Sequence, residues 1–187
     1  KTDGVVTATI AADTAKKLVD ALGNANNADL LKLTVNGATA SVTDLNALAL
    51  KTKATTNAIK VDAKEITGAG DKLVDLYVDT QFANLGNENV KIDSGATIAE
   101  INTVLGKTTG VVTASATGLA SVLAAGLTSE TSGKDALTLK VNNEAGANLT
   151  SATDLLKLDG FTSVKVDAKG ITNGITGTAA DLKKLVA

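Results

Sequence analysis

The sequence predicts an α/β fold: a right-handed β/α solenoid of about seven strand-plus-helix turns, with one parallel sheet on one side and short helices on the other. Three observations lead to this prediction. Short β-rich runs recur about every 27 residues, helix-capping signals stand between them, and several segments return 105 or 106 residues later in the same order. Crossovers between parallel strands are almost always right-handed, so the repeat also predicts the handedness.

The predicted strands are seven short runs rich in Val, Ile, Leu and Thr. Aligned on a central apolar residue, they follow one another at an average spacing of about 27 residues, a period typical of solenoids. Their bounds are residues 4–10, 30–35, 58–63, 89–94, 110–115, 136–141 and 163–168. One strand per period implies a single sheet in which each repeat contacts only its neighbours.

Side chains alternate between the two faces of a strand, so stacked strands present columns that face the core and columns that face water. The central inward column is apolar throughout and consists of Val6, Leu33, Val61, Ile92, Val112, Leu139 and Val166. The outward columns carry Lys and Asp in three repeats, at Lys60, Asp62, Lys91, Asp93, Lys165 and Asp167. We expect these six residues to form a solvated ladder, and they are the candidates for a binding surface.

Helices are predicted between the strands from their N-terminal signals. A hydroxyl residue followed three positions later by a carboxylate is typical of a helix N-terminus, because each side chain caps a backbone amide. Such pairs are Ser41 with Asp44, Thr97 with Glu100, Ser151 with Asp154, and Thr178 with Asp181. The other three helices are predicted at residues 13–22, 69–78 and 117–124.

A longer repeat lies on top of the short one. The run GVVTA at residues 4–8 returns at 110–114, and the segment at 59–67 returns with small changes at 164–172. We therefore expect a single solenoid segment over residues 1–187. It is built from a block of four repeats at 4–109 and a partial second copy at 110–187.

The composition excludes several kinds of chemistry. His, Cys, Pro, Met and Trp are absent, and all 18 basic residues are Lys. Zinc, haem and iron–sulfur sites are excluded because their ligands are missing. Nucleic acid is not expected as a partner, because the net charge is -2 and Arg is absent. No apolar run is long enough to predict a membrane span.

Calcium is the metal that an acidic repeat protein of this composition still allows. Asp62 and Asp93 are on adjacent predicted strands, but Lys60 and Lys91 occupy the space that further oxygen ligands would need. We therefore predict no cofactor, since calcium is chemically allowed but is supported by no motif.

Catalytic combinations are limited to two. Ser132 with Lys134 would pair a hydroxyl with an amine, and Asp13 with Asp20 would pair two carboxylates. Both are more simply interpreted as loop and helix-surface residues. The chain is therefore predicted not to be an enzyme.

The period, the single strand per turn and the Leu/Val/Ile columns resemble a leucine-rich-repeat solenoid. Asn36 and Asn142 follow their strands as that family's consensus Asn does, whereas other residues stand at this place in most repeats. The amino-acid sequence of the repeats, as in TIAEINTVLGKTTGVVTASA at 97–116, is more similar to repeats of large secreted bacterial and cyanobacterial surface proteins of the adhesin and S-layer kind.

This resemblance implies a non-enzymatic structural or adhesive segment of an extracellular or cell-surface bacterial protein. Its partners would be neighbouring repeats or further copies of the chain. Uncovered terminal strands predict that copies associate into a filament or lattice. The alternative is a recognition module that binds a glycan or a protein through the exposed Lys/Thr/Asp face of the sheet.

Overall fold

The computed structural model describes residues 4–25, 28–128, 134–146 and 148–186. The chain divides into two compact parts: the first part comprises Lys1–Lys91 with Lys107–Gly110, and the second part comprises Ile92–Gly106 with Val111–Ala187. The described residues contain seven helices and parallel β-sheets. The α/β class predicted from the sequence is therefore confirmed.

The first part contains three helices and two parallel sheets among its described residues. In chain order its elements are β1 (Thr7–Thr9), α1 (Ala15–Ala21), β2 (Leu30–Val35), β3 (Thr39–Ser41), α2 (Val42–Ala49), β4 (Ile59–Val61), β5 (Glu65–Gly68), α3 (Gly70–Val78), β6 (Phe82–Ala83) and β7 (Asn89–Ile92), of which the last residue is assigned to the second part. The strand orders are β1-β2-β4-β6 and β3-β5-β7. The helices pack in sequence, α1 against α2 and α2 against α3.

The second part repeats this construction. Its elements are α4 (Ile98–Leu105), β8 (Val112–Leu119), α5 (Ala120–Gly126), β9 (Ala136–Asn142), β10 (Thr150–Ser151), α6 (Ala152–Gly160), β11 (Asp167–Gly170), β12 (Ile175–Thr176) and α7 (Ala179–Leu185). Here β9 lies between β8 and β11 in one sheet, and β10 pairs with β12. Each helix from α4 to α7 packs against the next.

The order of elements in the first part recurs in the second part. The series β1-α1-β2-β3-α2-β4-β5-α3 returns as β8-α5-β9-β10-α6-β11-β12-α7. The duplication read from the sequence is thus accompanied by a duplication of secondary structure. That residues 1–187 form one solenoid segment stays a prediction.

The prediction of one sheet with one strand per repeat is wrong. After the long strand the chain turns and forms a second, short strand that leads directly into a helix, as β3, β5, β10 and β12 do. Gly37 makes the turn between β2 and β3 with a φ of +116°, a conformation that residues with a Cβ rarely adopt. The second strands are only 2 to 4 residues long, too short for a two-residue alternation to predict them.

The predicted register is confirmed where β11 begins, since Lys140 pairs with Asp167, but it is wrong for β2 with β4 and for β8 with β9. The sequence alignment places Leu33 beside Val61, whereas the structure pairs Leu33 with Ile59 and Val35 with Val61. The alignment likewise sets Val112 beside Leu139, although the ladder of β8 and β9 pairs Ala116 with Leu139. These shifts are even, so each side chain stays on its predicted face.

An aspartate before the long strand explains the shifted register of β8 with β9, and a second one acts in the same way between β1 and β2. The Val6 amide donates to Asp29 Oδ1 at 3.0 Å, and the Val112 amide donates to Asp135 Oδ1 at 2.8 Å. Each bond places the valine beside the residue that precedes β2 or β9, rather than beside the centre of that strand. A pattern of apolar residues contains no information about such a bond.

The predicted faces are confirmed in the middle repeats. The inward residues Leu33, Val61, Ile92, Val112 and Leu139 are buried. The outward residues Lys60, Asp62, Lys91 and Asp93 are exposed. Val6 and Val166 do not follow the prediction, because Val6 is 39% exposed and Val166 is half-buried. Both precede the strands that form, which begin at Thr7 and Asp167.

The four predicted capping pairs are confirmed. The amides of Asp44, Glu100, Asp154 and Asp181 donate to the hydroxyl groups of Ser41, Thr97, Ser151 and Thr178. The other three helices begin later than predicted, at Ala15, Gly70 and Ala120. In the last of these, β8 continues to Leu119 and takes the residues that had been assigned to the first turn.

Buried threonines join consecutive repeats. The Thr52 hydroxyl accepts hydrogen bonds from the amides of Leu31 and Ala54, at 2.9 and 3.2 Å, and lies 3.1 Å from the Leu31 carbonyl oxygen. Thr162 makes the same contacts in the second part, with Leu137 and Val164. In both cases a side chain that follows one helix satisfies the first backbone groups of the preceding long strand.

Candidate binding surface

The Lys and Asp residues predicted as a ladder lie at the surface, and two of them pair directly. Lys60 Nζ is 2.8 Å from Asp62 Oδ2, and Asp62 Oδ1 accepts a hydrogen bond from Asn84 Nδ2 at 2.7 Å. Lys91, Asp93 and Lys165 are exposed. That these residues act as a binding surface stays a prediction.

A polar cleft lies beside Asp62 in the first part. Its volume is about 390 Å³, and it is lined by Val61, Asp62, Ala63, Lys64, Asn84, Asn87, Glu88 and Asn89. Asn84 holds the near side of the cleft: its backbone has a φ of 65°, and its amide also donates to the Val61 carbonyl oxygen at 3.1 Å. The exposed side chains of Lys64, Asn87 and Asn89 give the cleft both donors and acceptors.

Glu88 organises the loop behind this cleft, although it is only 4% exposed. Its carboxylate accepts hydrogen bonds from the amides of Gly86 and Asn87, at 2.8 and 3.1 Å, and from the Tyr77 hydroxyl. Burial, and next the Glu88 carboxylate, raise the pKa of Tyr77 well above its ordinary value. The buried carboxylate therefore serves the shape of the loop.

A matching depression lies in the second part. It has a volume of about 560 Å³ and is lined by Lys165, Val166, Asp167, Ala168 and Lys169. These residues correspond in the duplicated sequence to 60–64, which border the cleft of the first part. Asp167 is half-buried, and its Oδ1 accepts a hydrogen bond from the Lys169 amide at 3.1 Å.

The two carboxylates of the predicted catalytic pair, Asp13 and Asp20, each form an ion pair with a lysine. Asp13 pairs with Lys17 at 3.3 Å, and the Thr14 amide lowers the pKa of its carboxyl group. Asp20 pairs with Lys16, also at 3.3 Å. Ser132 lies outside the described residues, so its combination with Lys134 is not addressed.

Neither a metal site nor a membrane span is found in the part of the chain that the structure describes. Within those residues no group of three or more acidic side chains is placed to hold a metal ion. Among the described helices, none is long and apolar enough to cross a membrane.

Several functional side chains were missed by the sequence analysis. Glu88, Asp135 and the threonines at 52 and 162 are buried polar residues. Asp135 and the two threonines bond to backbone groups about one period away, whereas Glu88 bonds within its own loop and to Tyr77. The only signal in the sequence is position: Asp29 and Asp135 both stand just before a long strand, 106 residues apart.

The sequence matches no protein-family model, no curated protein and no solved structure. The resemblance to leucine-rich repeats and to bacterial surface repeats therefore rests on the residues of this chain alone.

Proposed function

We propose that the chain is a non-enzymatic structural or adhesive segment of an extracellular or cell-surface bacterial protein, folded as a right-handed β/α solenoid. One observation carries the proposal: among the described residues, the long-range side-chain hydrogen bonds span 20 to 32 residues, which is about one period. Thr52 reaches Leu31 over 21 residues, Gln81 reaches Ala54 over 27, and Asn143 reaches Thr172 over 29.

This spacing favours a structural role. In a solenoid each repeat is stabilised mainly by its neighbours, so the contacts that join repeats must recur with the period. The buried hydroxyl groups of Thr52 and Thr162 follow that rule and bond to backbone groups of the preceding repeat. Polar side chains buried in the fold are thus used to hold the repeats together.

Insertion of a complete block tests the proposal. A second copy of residues 4–109 is placed after residue 109, so that the new junction has the same sequence as the natural one between 109 and 110–114. We expect the longer chain to fold with unchanged circular dichroism per residue. Its urea m-value should rise, because more surface becomes exposed on unfolding.

The control is an insertion of equal length in the wrong phase. A copy of residues 17–122 is placed after residue 109. This segment also has 106 residues, but it begins inside α1 and ends inside α5. This variant should lose structure or aggregate. If both insertions behaved alike, or if the complete block failed to fold, the repeat architecture would be wrong.

The extracellular location is part of the same proposal and has its own test. Antibodies against the chain should label intact cells of the source organism or detect the protein in the culture medium. Signal only after cell lysis would contradict this location.

A second candidate function is recognition of a glycan or a protein by the Lys/Thr/Asp face. The polar cleft beside Asp62 favours it, because Lys64, Asn87 and Asn89 offer groups that bind hydroxyl and amide groups. Nuclear magnetic resonance titration with a panel of sugars would test it, with Asn87→Ala as the variant and Lys16→Ala on α1 as the matched control. Loss of shifts in Asn87→Ala alone would support this function.

The strands β1 and β11 each lie at the edge of a sheet, and the proposed structural role has two versions that differ in what covers these edges. Either further repeats of a longer polypeptide cover them, or another copy of the chain does so. Light scattering over a concentration series separates these versions, since head-to-tail association of copies grows with concentration and does not close.

A further inference from the structure

The duplicated segments at 59–67 and 164–172 share seven of their nine residues but not their surroundings. Ile59 and Leu73 in the first part are completely buried, whereas their counterparts Val164 and Leu182 in the second part are 36% and 37% exposed. Ile66 is buried as well, and its counterpart Ile171 is half-buried.

The segment that follows α3 covers the first copy. Residues of β6 pair in parallel with β4, Ile59 with Phe82 and Lys60 with Ala83. Farther along, Asn84 Nδ2 donates to the Val61 carbonyl oxygen, and the Asn89 amide donates to the Lys64 carbonyl oxygen at 2.9 Å. Residues 79–92 thus add a strand, an apolar side chain and two polar anchors to this edge.

The second copy lacks that cover, and its strand begins three residues later in the segment, because β11 consists of the counterparts of residues 62–65. Among the described residues β11 pairs with β9 and has no partner on its other side. Beside it lies a groove of about 230 Å³ with a mainly apolar floor, whose lining includes Leu155, Val166, Ala168, Ile175 and Leu185, and also the charged residues Asp159, Lys165 and Lys184. The depression at Lys165–Lys169 corresponds to the polar cleft beside Asp62. That cleft has a second wall, formed by Asn84 and residues 87–89, which the depression lacks.

We infer that the edge formed by residues 164–172, β11 and α7 is a docking site for a repeat of the kind found at residues 79–109 of this chain. In the four-repeat block this fourth repeat follows the third, and residues 163–186 are a second copy of the third. The occupant needs an apolar side chain at the position of Phe82, to enter the groove beside β11. It also needs an Asn at the position of Asn84, to reach the Val166 carbonyl oxygen and the Asp167 carboxylate.

Another copy of this chain docking through β1 would not fit this order. Within this chain, the run GVVTA at 110–114 begins a first repeat and is preceded by the fourth repeat of the block at 4–109. The strand β1 also belongs to a first repeat, whereas β11 belongs to a copy of the third repeat. Direct contact between β1 and β11 would therefore place a first repeat after a third repeat, without the fourth repeat between them. The inference rests on the proposed role as a repeat segment and specifies the partner of one edge.

The test appends residues 79–109 after Ala187 of the full chain and measures hydrogen exchange of the amides in 164–172. In the unmodified chain these amides should exchange faster than those in 59–67, which serve as the internal reference. In the extended chain their exchange should slow by at least about tenfold, because opening then requires the new strand to leave.

The control carries Phe82→Asp and Val90→Asp in the appended copy only. It should leave exchange in 164–172 as fast as in the unmodified chain. Equal exchange in the extended chain and this control would overturn the inference. So would protection of 164–172 that rises with the concentration of the unmodified chain, since the occupant would then be a second copy. Failure of the block insertion would instead contradict the repeat role itself.

Discussion

The second repeat and its copy are held in the same way, whereas the third repeat and its copy are not. Thr52 and Thr162 stand 110 residues apart and make matching hydrogen bonds to the preceding strand. Leu73 and Leu182 stand at the same place in their helices, yet only Leu73 is fully buried. The helix position and its cap are thus set within the repeat, whereas the strand and the burial of the third repeat differ between the two copies.

The largest expected effect is the contrast between these two leucines. Leu73→Ala should lower the free energy of unfolding by about 2–5 kcal/mol, because it leaves a cavity in the core of the first part. Leu182→Ala should cost less than about 1 kcal/mol, since water already reaches this side chain. Urea unfolding monitored by circular dichroism would measure both, and equal losses would contradict the difference in cover.

Substitutions of Thr52 and Thr162, by contrast, should lower the free energy of unfolding equally in the two copies. Thr52→Val or Thr162→Val keeps the side-chain shape but leaves buried backbone groups unpaired, which should cost about 1–3 kcal/mol in each case. Thr52→Ser and Thr162→Ser retain the hydroxyl group and serve as matched controls. If the serine variants were as unstable as the valine variants, packing of the methyl group would explain the loss.

The sequence was informative where a signal is local or strongly periodic. The capping pairs such as Thr97 with Glu100 and the inward side chains such as Ile92 depend on spacing within one element, and they were predicted correctly. The short second strands and the register of β1 with β2 and of β8 with β9 were not, because they depend on a turn at Gly37 and on bonds that Asp29 and Asp135 accept. In the candidate site the exposed Lys60 and Asp62 were predicted, but their link to Asn84 joins residues more than 20 positions apart.

Tyr77 provides a prediction about pH. Its pKa in the folded chain is raised, so the folded state holds the phenolic proton at a pH where the unfolded chain releases it. This contribution to stability should be complete below about pH 10 and should decline as the pH rises further. Tyr77 is the single tyrosine and Trp is absent, so ultraviolet absorbance reports its ionisation directly.

The control for this prediction is Tyr77→Phe. Loss of the hydrogen bond to the buried Glu88 carboxylate should cost about 1.5–3 kcal/mol at neutral pH. The variant should also lose less stability than the natural chain between neutral and alkaline pH. A normal tyrosine titration in the folded chain would contradict the burial and the contact with Glu88.

The smallest expected effect belongs to the exposed ion pair of the predicted ladder. Lys60→Ala should change the free energy of unfolding by less than about 0.5 kcal/mol, because water screens the pair. Lys91→Ala should behave in the same way, while Ile92→Ala should be clearly more destabilising. A similar loss for Lys91→Ala and Ile92→Ala in urea unfolding would contradict the assignment of faces.

Small-angle X-ray scattering of the chain and of its complete-block insertion variant tests the proposed solenoid most directly. Four added repeats, each one strand spacing of about 4.8 Å along the axis, should lengthen the largest dimension by about 20 Å. The cross-sectional radius should stay unchanged, because repeats are added along one direction only. A larger cross-section with little gain in length would contradict the solenoid.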